Sequence, residues 1–164
     1  ILKGLRGKLG NSMTRIFRGR NLLNLRKNSW GNEQFETKVY SLIIRGDLDF
    51  KKLNEELKFN APEIAKKGEM LSRVVGECQE DVYIYSKKYE DDKSADEYLY
   101  NFLTEIYAVK DIIRDLAEKH NISLRIYIQS SQAQISFSMK NKVLPMLAEM
   151  NLPIDFSIFS WGGV

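Results

Sequence analysis

The most regular pattern of apolar and polar positions begins with a strand. Residues 39–44 form a β-branched and aromatic run, which is typical of a strand, and Gly46 ends it. Asp49 lies where the N-cap of a helix is expected, because its carboxylate can accept a backbone N–H of the first turn. Leu48 and Leu53 flank this cap at the spacing of a hydrophobic staple. The pattern therefore predicts a strand, a turn and a helix in succession.

The strongest helical pattern in the chain covers residues 94–119. Ser94 and Glu97 have the spacing of a capping box at its start. Apolar residues then keep helical spacing at Leu99, Phe102, Leu103, Ile106, Val109, Ile113 and Leu116. The helix is predicted to end near Lys119 and His120, where cations complement the negative end of the helix dipole. This position gives the only histidine of the chain a structural explanation.

Shorter patterns complete the chain. Residues 73–87 predict one or two short strands, and residues 124–128 and 135–139 alternate in polarity as the two strands of a hairpin do. Residues 143–150 predict a short helix, and residues 154–158 predict a last strand. Together the patterns predict an α+β fold, with a single mostly antiparallel sheet and two or three helices packed on one face. A ferredoxin-like or split β-α-β layering accommodates this order of elements.

Composition is that of a single globular domain. The chain has 164 residues, 43% of them apolar and 29% charged, which is enough to bury one sizeable core. No apolar run approaches the roughly 20 residues that span a bilayer. The single cysteine, Cys78, fits a reducing compartment, so a cytoplasmic location is expected.

Charged side chains are distributed unevenly along the chain. Residues 1–32 contain eight cations and no acid, which leaves 17 basic and 22 acidic side chains in the remainder. We therefore expect a basic N-terminal arm at residues 1–34 and a single α+β domain at residues 35–164. Such an arm is typical of phosphate binding, of a transit peptide or of a membrane-surface helix. Two further interpretations are an in-frame extension and a segment that folds against the acidic body, and we favour these two together.

Three stretches in a fixed order carry a family resemblance. They are Arg45-Gly46-Asp47-Leu48-Asp49, then Pro62 with Lys67-Gly68-Glu69, and finally residues 146–159, which run Met-Leu-Ala-Glu-Met-Asn-Leu-Pro-Ile-Asp-Phe-Ser-Ile-Phe. Over about residues 36–160 the chain resembles the bacterial family called domain of unknown function 4279 (DUF4279). The resemblance implies a fold and a bacterial origin, and it implies no activity.

Few side chains point to catalysis, a metal or a cofactor. A cysteine or serine nucleophile needs a base, and the only histidine lies at a predicted helix end. Zinc favours His and Cys ligands, and the chain has one of each. In the turn that carries the family resemblance, Gly46 ends the strand and Asp49 is the predicted N-cap. Asp47 has no such structural role. We expect a protein that is not an enzyme and that holds no cofactor.

Strand aromatics have two interpretations. Tyr83, Tyr85, Tyr127 and Phe137 could stack on bases, as in RNA-binding sheets. No glycine-aromatic motif of such sheets accompanies them, so their alternation favours core packing on one face.

The leading functional prediction is a non-enzymatic protein-binding module, such as an immunity protein that neutralises a cognate toxin through its acidic surface. The candidate acidic residues are Glu77, Glu80, Asp81, Glu90, Asp91, Asp92, Asp96 and Glu97. The alternative is a nucleic-acid-binding protein that uses the basic arm. Its candidate phosphate contacts are Arg15, Arg18, Arg20, Arg26 and Lys27.

Overall fold

A computed structural model describes residues 36–72, 76–90, 94–130 and 137–160, so the predicted arm at residues 1–34 lies outside the described part. Within these ranges the chain forms seven strands and four helices. In order they are β1 (Thr37–Gly46), α1 (Phe50–Leu57), β2 (Glu63–Ala65), β3 (Met70–Ser72), β4 (Gly76–Glu77), β5 (Asp81–Tyr89), α2 (Ala95–Tyr107), α3 (Lys110–Ala117), β6 (Asn121–Ser130), α4 (Leu144–Met150) and β7 (Ile154–Ser160).

Five strands form the main sheet, in the order β2-β5-β1-β6-β7. The central strand β1 pairs antiparallel with both β5 and β6, and β2 pairs antiparallel with β5. Only β6 and β7 are parallel, joined through α4. The predicted α+β fold with a mostly antiparallel sheet is therefore confirmed.

Two details of the predicted fold are wrong. The described chain contains a second, two-stranded sheet of β3 and β4, so the sheet is not single. The described chain also contains four helices rather than two or three, because the long predicted helix is divided into α2 and α3. Strands β5 and β6 both run antiparallel to β1, which lies between them, and α2 and α3 connect them, which is the strand order of a split β-α-β unit. The parallel neighbours β6 and β7 need a crossover, and the short helix α4 supplies it.

The core joins alternate residues of the central strands to the apolar faces of the helices. On β1 these residues are Tyr40, Leu42 and Ile44, all with no exposed surface. The Tyr40 hydroxyl also donates a hydrogen bond of 2.6 Å to the carbonyl of Ala95, which ties β1 to the first residue of α2. Burial of both the ring and the hydroxyl is favourable because the hydroxyl keeps a partner.

The predicted cap of α1 is confirmed. Asp49 is the N-cap residue, and its Oδ1 accepts the backbone N–H groups of Lys51 and Lys52, each at 3.1 Å. Leu48 and Leu53 are both buried, as the staple requires. The local sequence thus determines how the chain turns from β1 into α1.

The long helix predicted over residues 94–119 is in fact two helices, α2 and α3, separated at Ala108 and Val109. Neither proline nor glycine lies at the break. Instead, Tyr107 and Lys110 on its two sides both bind the carboxylate of Glu149 in α4, with a distance of 2.7 Å from Lys110 Nζ. A tertiary contact therefore marks the break, and helical spacing alone does not reveal it.

The predicted capping box of α2 is also wrong. Ser94 is the N-cap residue, but its side chain makes no capping bond to the backbone. Its hydroxyl binds the carboxylate of Asp96 instead. A buried carboxylate two residues away competes successfully for the hydroxyl, because an ionised acceptor forms the stronger hydrogen bond.

The second strand of the predicted hairpin is not formed by the residues described there. Residues 137–140 have no strand geometry, and both edges of β6 are already paired, with β1 and with β7. Phe137 packs edge-on against Phe156 of β7, with ring centroids 6.2 Å apart.

Gly46 at the end of β1 supports a test of the packing at this end of the sheet. Its φ is +143°, and a Cβ added there would lie 2.9 Å from Nδ1 of His120. We expect Gly46→Ala to lower the free energy of unfolding by more than the roughly 1–3 kcal/mol of backbone strain alone. Gly68→Ala is the matched control, because φ is +81° there and nothing lies within 4 Å. Urea unfolding measures both; equal losses would contradict a close Gly46–His120 contact.

Candidate functional site

The turn after β1 and the last turns of α3 enclose a groove of ≈ 450 Å³. Its apolar lining consists of Leu48, Leu53, Ile112 and Leu116. Its charged lining consists of Asp47, Asp49, Lys52, Glu56, Asp115 and Lys119, and His120 completes it. Four carboxylates against two lysines leave the lining with a net charge of −2 when the histidine is neutral.

Some of these charges are engaged within the protein. Asp49 caps α1, and Lys52 lies 3.8 Å from Glu56 in an i,i+4 ion pair. Asp47 and Asp115 are exposed and have no hydrogen-bond or ion-pair partner in the described part of the chain. The free negative charge of the groove thus lies on two carboxylates, one on the β1–α1 turn and one on α3.

His120 lies beside the glycine that ends β1. Its backbone N–H donates to the carbonyl of Leu116 at 2.9 Å, which confirms its predicted place at the end of a helix. Its Nδ1 is buried against Gly46 and has no hydrogen-bond partner among the described residues. Part of the side chain is exposed, and that part lines the groove.

The carboxylate of Asp81 holds the turn that forms one wall of the groove. Its Oδ2 accepts the backbone N–H of Leu48 at 3.2 Å, and its Oδ1 accepts that of Lys67 at 2.8 Å. These two N–H groups, that of Lys67 first, lower the pKa of the Asp81 carboxyl below its usual value. Asp81 was predicted to belong to a binding surface; the structure gives it a role within the fold.

The acidic residues predicted to form one surface fall into two groups. Glu77, Glu80 and Asp81 lie at or before the start of β5, whereas Glu90 and Glu97 follow its end. The nine steps along the strand from Asp81 to Glu90 separate the groups by roughly 30 Å at ~3.3 Å per residue. Asp91 and Asp92 lie outside the described residues. Only the first group lies at the same end of the sheet as the groove, because Asp81 pairs with Gly46.

Asp96 does not belong to any exposed surface. It is only 5% exposed, and its carboxylate lies 2.8 Å from Nζ of Lys140 and accepts the Ser94 hydroxyl. Burial raises the pKa of the Asp96 carboxyl, but the bonds from Lys140 and Ser94 outweigh it and lower this pKa overall. Its role is to anchor the start of α2.

The other residues considered from the sequence are two strand tyrosines, the single cysteine and the cations of the arm. Tyr83 and Tyr85 are buried in the core, so they cannot stack on bases. Cys78 is also buried, and its Sγ lies 2.9 Å from the carbonyl oxygen of Glu80. The five cations predicted to contact phosphates lie outside the described residues, so nucleic-acid binding by the arm stays a prediction.

Two features are absent from the part of the chain that the structure describes. In that part, no group of three or more His, Cys, Asp or Glu side chains is arranged to hold a metal ion. No helix formed by the described residues is long and apolar enough to cross a membrane.

The lowered pKa of Asp81 predicts how stability depends on pH. A depressed pKa stabilises the fold at pH values above the ordinary value of 3.8 and loses this effect as the pH falls through the folded-state pKa. We expect the urea midpoint of the unchanged protein to fall more steeply below about pH 4 than that of Asp81→Asn. Asp155→Asn, at an exposed position of β7, is the control. Identical slopes for all three proteins would contradict the role of the two backbone hydrogen bonds.

Comparison with known proteins identifies a family. No curated protein and no solved structure matches the chain significantly. A sequence profile described as domain of unknown function (DUF4279) matches residues 35–161. This match covers most of the chain and includes the turn, the groove and the whole described sheet. The chain therefore belongs to the DUF4279 family.

Proposed function

We propose that this chain is a non-enzymatic protein-binding module that recognises a basic partner at one end of its sheet. We define the acidic end by four exposed or half-buried carboxylates, those of Asp47, Glu77, Glu80 and Asp115. The excess of carboxylates around a formed groove is the observation that supports this proposal most directly. A groove gives the partner a shaped surface, and the charge sets the sign of the group that it accepts.

Charge at this end favours a cationic partner. Of the four carboxylates, only that of Glu80 has an ion-pair partner among the described residues, with Arg45 Nε 4.0 Å away. Such a long, partly exposed pair is weak, so the Glu80 charge remains available to a partner. Like-signed carboxylates around one depression raise the local concentration of cations and speed the encounter with a basic protein.

A bacterial immunity protein fits these requirements, and we propose this role, in the cytoplasm, for the chain. An inhibitor of this kind needs fast, specific association and no chemistry of its own. Many toxins that act on nucleic acid need a cationic surface, because that surface contacts phosphates. An acidic groove can cover such a surface.

Charge reversal tests the proposal. Products of genes adjacent to the one encoding this chain are expressed separately, and their association with the chain is followed by biolayer interferometry. For a product that binds, Asp47→Lys with Asp115→Lys should slow association at least about tenfold at low salt, because steering is lost. Adding salt should reduce the difference, because screening weakens steering.

The control uses the other half of the predicted acidic residues. Glu90→Lys with Glu97→Lys makes the same change in net charge at the opposite end of β5. We expect this control to associate at a rate within about threefold of the unchanged chain. Equal slowing by both pairs would show that only net charge matters, and slowing by the control alone would place binding at the other end. Either outcome contradicts the proposal.

A further inference from the structure

We infer that the groove accepts a single arginine side chain of the basic partner, which anchors the complex. This inference rests on the proposed function and adds the chemistry of the group that the groove binds. It is based on the arrangement of apolar and charged side chains in the groove. That arrangement matches a side chain with an aliphatic stem and a cationic head.

The apolar side chains account for the stem. Leu48 and Leu53 are buried beneath the turn, and Ile112 and Leu116 of α3 are half-buried, while all four line the groove. An arginine stem laid on this lining would remove apolar surface from water on both partners. A small inorganic cation could not use this surface.

The carboxylates account for the cationic head. Asp47 and Asp115 line the same groove from two different elements, the turn after β1 and α3, and neither has a partner within the described ranges. A guanidinium presents five N–H donors in a planar fork, so it can donate in two directions at once. An ammonium group is a compact point charge that is more strongly hydrated, which makes lysine the weaker occupant.

The other charges of the lining fit the same occupant. Lys52 is paired with Glu56, and Asp49 is engaged as the N-cap of α1. Lys119 is the remaining cation, so the three unpaired charges sum to −1 and favour one cationic head rather than an anion. His120 also lines the groove, beside these charged residues.

A titration of the full chain, followed by two-dimensional NMR, tests this inference. The probe is N-acetyl-arginine amide; N-acetyl-lysine amide, N-acetyl-norleucine amide and guanidinium chloride are compared at equal ionic strength. We expect the arginine probe to cause saturable shifts at the amides of residues 47–49 and 112–120. The lysine probe should bind more weakly. The last two probes, which lack either the head or the stem, should not saturate over the same range.

Variants connect these shifts to the two carboxylates. Asp47→Asn and Asp115→Asn should each weaken binding of the arginine probe by about threefold or more, which is the range of a partly exposed ion pair. Glu55→Gln and Glu118→Gln are the controls, since both acids are exposed close to the groove but do not line it. We expect these controls to leave the affinity within experimental error.

Three results would overturn the inference: shifts spread over all acidic surfaces, equal binding of the norleucine probe, or no effect of either Asp→Asn change. The outcome is separable from that of the proposed function. If charge reversal slows partner association but the arginine probe does not bind, the arginine anchor is wrong and the acidic end remains the binding site. If the arginine probe binds saturably in the groove but charge reversal leaves the rate of partner association unchanged, the proposed function is wrong.

Discussion

The end of the sheet at which Asp81 pairs with Gly46 depends on the two hydrogen bonds that the Asp81 carboxylate accepts. Its two oxygens accept backbone N–H groups from two separate turns, at Leu48 and at Lys67. An ionised acceptor shared by two backbone donors makes stronger bonds than a neutral side chain would. One acid at the first residue of β5 thereby fixes the turn into α1 and the turn before β3 relative to the central strand.

The groove follows from this constraint together with a glycine. Gly46 has no side chain, so the ring of His120 can lie against the end of β1. Asp47 of this turn and Asp115 of α3 both line the groove. The turn at residues 45–49, which carries the family resemblance, therefore has two roles. Its buried and capping residues build the fold, and the carboxylate left over lies at the surface where we propose that a partner binds.

Local sequence predicted several local features correctly, although the capping box at Ser94 was wrong because the Ser94 hydroxyl binds Asp96. The cap at Asp49, the staple of Leu48 and the end of α3 depend on residues within a few positions, and all are present. The break between α2 and α3 is flanked by two side chains that bind Glu149, which is 39 residues from Lys110 in the chain, and helical spacing does not predict this contact. Asp115 was missed for the same reason. On its own helix it is an ordinary solvent-facing acid, and only the fold places it in the same groove as Asp47.

Amide hydrogen exchange in Asp81→Ala tests most directly whether one carboxylate holds both turns. The predicted result is faster exchange at Leu48 and at Lys67 together. The amides of Lys51 and Lys52, which bind Asp49, should keep their protection. Glu80→Ala, one residue away, should change neither pair. Unchanged exchange at both Leu48 and Lys67, or loss at only one of them, would contradict the central role of Asp81.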